Sequence, residues 1–244
     1  MKKTLLAILL AGSAFAAQAA ETLTIGTEAT YAPFEFTNDK NEIVGFDIDV
    51  MNKLCEEMKV SCKIVNQSFD GLIPSLKTRR IDAAIAGIDV TPERQKQVAF
   101  TKIYYDDSSI QFITLKDSLT SLDQLKGKKV GIQKGTTYSK YLNEKYPDVK
   151  AVSYDSYQFA FLDLKAKRID AIVSSSFVAG EWLGKDAEIV ALGDKITDHE
   201  FFGEGLGIAL RQGNDQLLEQ FNQAIDKLKA NGELDIIYKK WFSK

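Results

Sequence analysis

The stretch Leu76-Lys77-Thr78-Arg79-Arg80-Ile81-Asp82-Ala83 returns further along the chain as Leu164-Lys165-Ala166-Lys167-Arg168-Ile169-Asp170-Ala171. Each copy reads as the end of a polar helix, a short turn and then an apolar run, over residues 81–88 and 169–173. Continuous apolar runs that follow helices predict buried parallel strands. A second echo sets Glu28-Ala29-Thr30-Tyr31 against Gly135-Thr136-Thr137-Tyr138. Each follows a short apolar run, Leu23-Thr24-Ile25 or Val130-Gly131-Ile132. Both echoes keep the same order, which predicts two similar α/β lobes. In α/β sheets ligands bind beyond the carboxyl ends of the strands. The loops at those ends are 27–34, 67–71, 87–94, 134–138 and 174–177. If the two lobes face each other, these loops line one cleft.

Composition narrows the function. The chain has 244 residues, 45% hydrophobic and 27% charged, with four prolines, an ordinary globular balance. Lys and Arg number 31 against 34 Asp and Glu, a net charge of −3. No basic excess exists to grip a phosphate backbone, so no nucleic-acid partner is expected. One His (His199) and two Cys argue against a His-rich metal site, a Ser-His-Asp triad and a Cys-only zinc site. No metal and no cofactor are expected.

The start of the chain reads as a targeting segment. Met1-Lys2-Lys3 is basic, residues 4–15 are apolar and small, and Ala17-Gln18-Ala19 fits a signal-peptidase site. The expected cut follows Ala19. No later apolar stretch approaches the ~20 residues of a membrane span, so no stable membrane insertion is expected. Export places the chain in an oxidising compartment. Phe46, Val50, Leu54 and Met58 recur at helical spacing, which puts Cys55 near a helix end. Val60, Cys62 and Ile64 alternate as in a strand. Cys55 and Cys62 either staple that helix end to the next strand or stay as buried thiols. Near the C-terminus, Leu217, Phe221, Ile225 and Leu228 mark an amphipathic helix. A break at Asn231-Gly232 follows, then a last helix holding Ile236, Ile237 and Trp241.

The loops carry recognisable chemistry. Thr91-Pro92-Glu93-Arg94 is a helix start, with Thr as N-cap and Pro in the first turn. Its free N–H groups favour an anion, and Arg94 can grip a carboxylate through two parallel hydrogen bonds. Ordinary capping with a solvated Arg94 is the plainer alternative. Gly135-Thr136-Thr137 offers a second N–H nest. Tyr31, Phe34 and Phe69 lie in or beside loops, where their rings either sandwich an alkyl chain or a planar cation, or pack in the core. Glu28, Glu35, Asp47 and Asp89 place carboxylates near the same mouth. Acids beside aromatics and an anion site suit a ligand with a carboxylate at one end and a cation at the other.

With these residues together, the chain resembles the periplasmic polar and basic amino-acid binding proteins of ABC importers, and among them the arginine binders. The resemblance rests on Thr30-Tyr31-Ala32-Pro33-Phe34-Glu35, Val44-Gly45-Phe46-Asp47-Ile48-Asp49, Phe69-Asp70-Gly71-Leu72-Ile73-Pro74-Ser75-Leu76, Asp89-Val90-Thr91-Pro92-Glu93-Arg94, Tyr154-Asp155-Ser156-Tyr157-Gln158 and Phe202-Gly203-Glu204-Gly205-Leu206-Gly207. It implies a two-lobed periplasmic binding protein fold of type II. Each lobe would be a mainly parallel sheet flanked by helices, with two hinge crossings between them. Residues 1–19 would be the signal peptide, 20–107 and 198–244 lobe 1, and 108–197 lobe 2. A monomer is expected, in the periplasm, with a small-molecule ligand and a membrane permease as partners. The Cys55–Cys62 pair matches a disulfide found in many basic-amino-acid binders.

Carried over by position, Tyr31 and Phe69 would sandwich the ligand side chain. Glu28 would meet its cationic head, with Glu35 and Asp47 in support. Arg94 would hold the α-carboxylate, helped by Thr91, Thr137 and the loop that opens at Gly87. One departure stands out. The family presents an Asp for the α-ammonium after the strand beginning at Ile169, and here Ser175 occupies that place. Asp89 would supply the charge from the first lobe instead. The expected function is capture of a basic L-amino acid, foremost arginine, with lysine, histidine, ornithine or glutamine as alternatives. An enzyme on this scaffold, of the dehydratase type, would need a positioned acid or base. Glu181 and His199 are the residues to consider, and neither sits in a recognised catalytic arrangement.

Overall fold

The computed structural model describes residues 22–242, so the expected signal segment and the cut after Ala19 lie outside the described residues. The chain runs β1 (Thr22–Thr27), β2 (Thr30–Tyr31), β3 (Glu35–Thr37), β4 (Ile43–Val44), α1 (Phe46–Met58), β5 (Ser61–Asn66), α2 (Phe69–Lys77), β6 (Ala83–Ala84), α3 (Pro92–Gln95) and β7 (Ala99–Phe100). It continues with β8 (Ile110–Leu115), β9 (Lys129–Gln133), α4 (Tyr138–Lys145), β10 (Lys150–Tyr154), α5 (Tyr157–Lys165), β11 (Ala171–Ser175), α6 (Ser176–Lys185) and β12 (Ile189–Ile196). Last come α7 (His199–Phe202), β13 (Ala209–Leu210), α8 (Asp215–Ala230) and α9 (Glu233–Phe242).

Two five-stranded sheets organise these elements, in the orders β5-β1-β6-β13-β7 and β10-β9-β11-β8-β12. In the first, β1 runs parallel to β5 and β6, and β13 is antiparallel to β6 and β7. In the second, β9 runs parallel to β10 and β11, and β8 is antiparallel to β11 and β12. The sheets are thus mixed, where mainly parallel ones were expected. The reason is shared by both lobes: β8 and β13 are the strands the chain enters on arriving from the other sheet.

The echo that opened the sequence reading is the same structure made twice. Helix α2 stops at Arg79 and α5 at Lys167, with left-handed φ values of 59° and 57°. In each, the next two N–H groups turn back onto the helix. Arg79 and Arg80 donate to the Leu76 and Ser75 carbonyls, Lys167 and Arg168 to those of Leu164 and Asp163. These bonds satisfy carbonyls that a helix end leaves open. Asp82 then accepts the Thr24 N–H and Asp170 the Lys129 N–H, each at 2.8 Å, at the lower ends of β1 and β9. The ladder after the first copy is shorter than residues 81–88. It pairs Ala83 and Ala84 with β1, and the chain then bends at Gly87, φ 54°.

The chain passes between the sheets twice, after Phe100 and after Ile196, and the two crossings are hydrogen-bonded together. Tyr104 donates its N–H to the Leu206 carbonyl at 3.0 Å, and Leu206 returns its own to Tyr105 at 2.7 Å. The glycines of the 202–207 motif permit this approach. A Cβ on Gly203 would lie 2.1 Å from the Val90 carbonyl oxygen, and one on Gly205 2.4 Å from that of Tyr105.

Helices α8 and α9 close the first sheet's layer against α1. Leu217, Phe221, Ile225 and Leu228 are buried as their spacing predicts. On α9, Ile237 is buried while Ile236 is 62% exposed, so only one of the two isoleucines faces inward. One helical step is about 100°, and neighbouring positions cannot share a face. Cys55, near the end of α1, is disulfide-bonded to Cys62 on β5, with Cα atoms 6.2 Å apart. Among the described residues no helix is long and apolar enough to cross a membrane.

Candidate functional site

All five predicted loops converge where the two sheets face each other. Loop 27–34 delivers Glu28 and Tyr31. Glu28 is 5% exposed. Burial pushes its carboxyl above the usual range, against the opposing pull of the Thr30 hydroxyl and the Gln133 amide. Gln133 ends β9, so this contact bridges the sheets. The second oxygen, Oε2, is buried with no hydrogen-bond partner among the described residues.

Tyr31 stacks on Phe34 and, across the cleft, on Tyr157 of α5, both at 5.8 Å between ring centroids. Its hydroxyl faces Ser175 and Tyr138, and burial raises its pKa far above the ordinary phenol value. The two tyrosines of the second echo, Tyr31 and Tyr138, therefore meet across the cleft. Gly87 makes room for the first: a Cβ there would stand 3.0 Å from Tyr31 Cε1.

Arg94 is 6% exposed and reaches both lobes. It donates to the Asp89 carbonyl at 3.0 Å, lies 3.5 Å from the Asp89 carboxylate, and donates across the cleft to the Gly135 carbonyl at 3.2 Å. Thr91 caps the short helix as expected, accepting the Arg94 N–H at 3.3 Å. Asp89 titrates at about 6, raised by burial and held back by Arg94. Gly135 sits so close to Asp70 that a Cβ would be 2.9 Å from its Cα, which seals the lobes at this point. Thr137 Oγ1 is buried nearby with no partner among the described residues. Along this rim an open groove of about 1290 Å³ runs between Phe69, Lys77 and Arg94 on one bank and Thr137, Ser139 and Lys140 on the other.

Several predicted residues take other places. The Phe69 ring lies 5.5 Å from the Arg94 guanidinium, and Tyr31 contacts Phe34 and Tyr157. Phe34, 2% exposed, packs in the core. Glu35 and Asp47 are fully buried behind the mouth. Asp47 accepts the Gly87 N–H at 2.7 Å and the Tyr104 hydroxyl at 2.9 Å. Burial lifts Asp47 to about 6. Burial, and then the neighbouring Asp47 charge, pushes Glu35 well above the carboxylate range. Neither Glu35 oxygen meets a donor among the described residues. A proton on Glu35 removes the conflict, because it lets Glu35 donate to Asp47. Ser175 caps α6 by accepting the Val178 N–H at 3.4 Å. Of the residues weighed for catalysis, Glu181 pairs with Lys185 at 3.0 Å and His199 meets the Gly203 carbonyl at 2.9 Å.

Sequence reading did not single out Tyr157 and Gln133 as cleft residues, or Tyr104 as the partner of Asp47 behind the cleft, and it placed Tyr138 only within loop 134–138. Tyr138 was visible in the second echo and Gln133 ends a strand before the N–H nest. For Tyr104 no local signal existed.

Known proteins resemble this chain in sequence and fold. The chain is 51% identical over 244 residues, all of both chains, to the putative ABC transporter arginine-binding protein 2 of Escherichia coli K12. It is 43% identical over 90% of its length to the L-arginine-binding protein of Pseudomonas aeruginosa, covering 87% of that protein. Among solved structures, a Salmonella typhimurium periplasmic binding protein of high arginine specificity matches with a TM-score of 0.89 and 46% identity, covering 91% of this chain and all of that one. An ancestral arginine-binding protein bound to glutamine matches with a TM-score of 0.84 at 39% identity, over 91% of this chain and 98% of that one. The two mixed sheets, double crossing and facing loops are the two-lobed periplasmic binding protein architecture. The model of the bacterial extracellular solute-binding proteins, family 3, matches residues 23–244, and the chain belongs to that family.

Proposed function

We propose that this chain captures L-arginine in the periplasm and delivers it to the membrane permease of an ABC importer. One observation carries the reading. Glu28 Oε2 and Thr137 Oγ1, on opposite lobes of one cleft, are buried polar atoms without partners among the described residues. Such atoms are costly unless a bound group satisfies them. Beside them, Arg94 brings a buried cation to Gly135, two residues beyond the β9 residue Gln133 that faces Glu28. An α-carboxylate at Arg94 and a guanidinium at Glu28 suit these charges. The relatives named for arginine binding support this choice.

In this reading lobe 1 comprises residues 20–107 and 198–244 and lobe 2 residues 108–197. The membership of the two sheets supports that division. The chain reaches the periplasm by a signal peptide cut after Ala19. It binds and releases without chemistry.

Glutamine is the second candidate, because an arginine-binding relative has been solved bound to it. Calorimetry of residues 20–244 with arginine, lysine, ornithine, histidine and glutamine tests the proposal. Arginine should bind most tightly. A preference for glutamine would move the assignment to a neutral amide, and no binding of either would reject it.

A further inference from the structure

Phe177 stands at the start of α6, directly after the cleft residues Ser175 and Ser176. It belongs to the second sheet's half of the molecule, but its ring lies among rings of the other half. Its centroid is 4.8 Å from Phe242 at the end of α9, 5.7 Å from Tyr105 in the first crossing and 6.2 Å from Phe34. The planes meet at 64°, 80° and 85°, the edge-to-face geometry that aromatic quadrupoles favour. Phe242 is anchored in turn on Phe46 at 4.9 Å and Tyr238 at 5.1 Å. Within its own half, Phe177 carries the Lys195 ammonium 5.8 Å over its ring. It is only half-buried, whereas its neighbours Val178 and Ala179 are the residues of α6 that enter the core. A half-buried ring at a helix start thus packs against the core from the opposite lobe.

We propose that Phe177 is an interlobe latch whose seating between Phe34, Tyr105 and Phe242 favours the closed cleft and slows ligand release. Separating the lobes draws the ring out of its nest and exposes apolar surface on both sides. The latch sits two residues from Ser175, which faces the Tyr31 hydroxyl. Ligand contact with the 174–177 loop therefore bears on the latch, and through Phe242 the C-terminal helix becomes part of ligand retention. The effect on affinity rests on the arginine reading above; the effect on lobe separation does not.

Spin labels at Lys77→Cys and Ser139→Cys, on opposite banks of the groove, report lobe separation in the full mature chain. Without added arginine, Phe177→Ala should move the distance distribution to longer values, Phe242→Ala should do the same, and Phe177→Leu should fall between. Arginine affinity of Phe177→Ala should drop about tenfold, as expected for losing aromatic contacts, mainly through faster dissociation. The double substitution should lose less than the sum, since both rings belong to one contact. A lower melting temperature for Phe177→Ala with unchanged distances and dissociation rate would overturn the latch and leave a packing residue. Longer distances in a protein whose parent does not bind arginine would keep the latch and overturn the ligand.

Discussion

Asp47, the second residue of α1, accepts the backbone N–H of Gly87 at 2.7 Å across 40 positions of sequence. Its other oxygen takes the Tyr104 hydroxyl at 2.9 Å. One buried carboxylate thus ties α1 to the loop that presents Asp89, Thr91 and Arg94, and to the first crossing between the sheets. Asp47→Ala leaves two buried donors without an acceptor, at roughly 1–3 kcal/mol each. Urea denaturation should show a loss of about 2–4 kcal/mol for Asp47→Ala, and less for Asp47→Asn, which keeps one acceptor. Equal stability of Asp47→Ala and the parent would remove this anchor from the account.

Stability should fall as pH rises through mild acid. Burial raises Asp47 and Asp89 from an ordinary 3.8 to about 6 in the folded state, and Glu35 well above its own ordinary value. Through Asp47 and Asp89 the native protein then holds more protons than the unfolded chain between about pH 4 and pH 6. The stability Asp47 and Asp89 contribute is full below that window and lost as pH passes through it. Melting temperatures across the window should decline, and Asp47→Asn should flatten the decline. A flat profile in the parent would mean these carboxyls titrate normally.

Glu28→Gln should weaken arginine far more than a neutral amino acid. A desolvated charge-assisted bond is worth about 1.5–3 kcal/mol, roughly ten- to a hundredfold in affinity. Because burial raises the Glu28 pKa, acid should also weaken arginine in the parent by neutralising the carboxylate. The variant should show a flatter pH profile. Unchanged arginine affinity in calorimetry would detach the cation from Glu28.

Arg94→Ala should abolish binding of every α-amino acid tested, since all share the carboxylate. Loss of one partner from a buried charged pair costs about 3–5 kcal/mol. The variant also frees the Gly135 carbonyl, so circular dichroism must first establish that it folds. A folded variant that binds arginine within a few-fold of the parent would leave the carboxylate to the backbone N–H groups.

Ser175→Asp tests how the α-ammonium is met. Asp caps a helix as well as Ser does, so α6 should persist while a carboxylate joins the Tyr31 hydroxyl. Arginine should bind more tightly to this variant and less tightly to Asp89→Asn. The two changes should be non-additive if both acids address one ammonium. No effect of either would place the ammonium elsewhere.

The sequence by itself determined the features written in short-range pattern. The repeated helix stop at Arg79 and Lys167, the Thr91-Pro92 helix start and the α8 stripe span few residues. Local hydrogen bonding and helical period suffice to specify them. From the two echoes in order, the double-lobed fold followed. Only the tertiary structure decided which residues meet across the cleft. That Tyr157 stacks on Tyr31, that Phe69 lies beside Arg94, that Asp47 serves Gly87 from behind and that Phe177 seats in the opposite lobe depend on how two sheets approach after distant crossings. The same approach strips water from Glu35 and Asp47 together, which is why burial raises the pKa of both acids of a pair read as lining the mouth. Chain spacing carries no information about such distances; packing sets them.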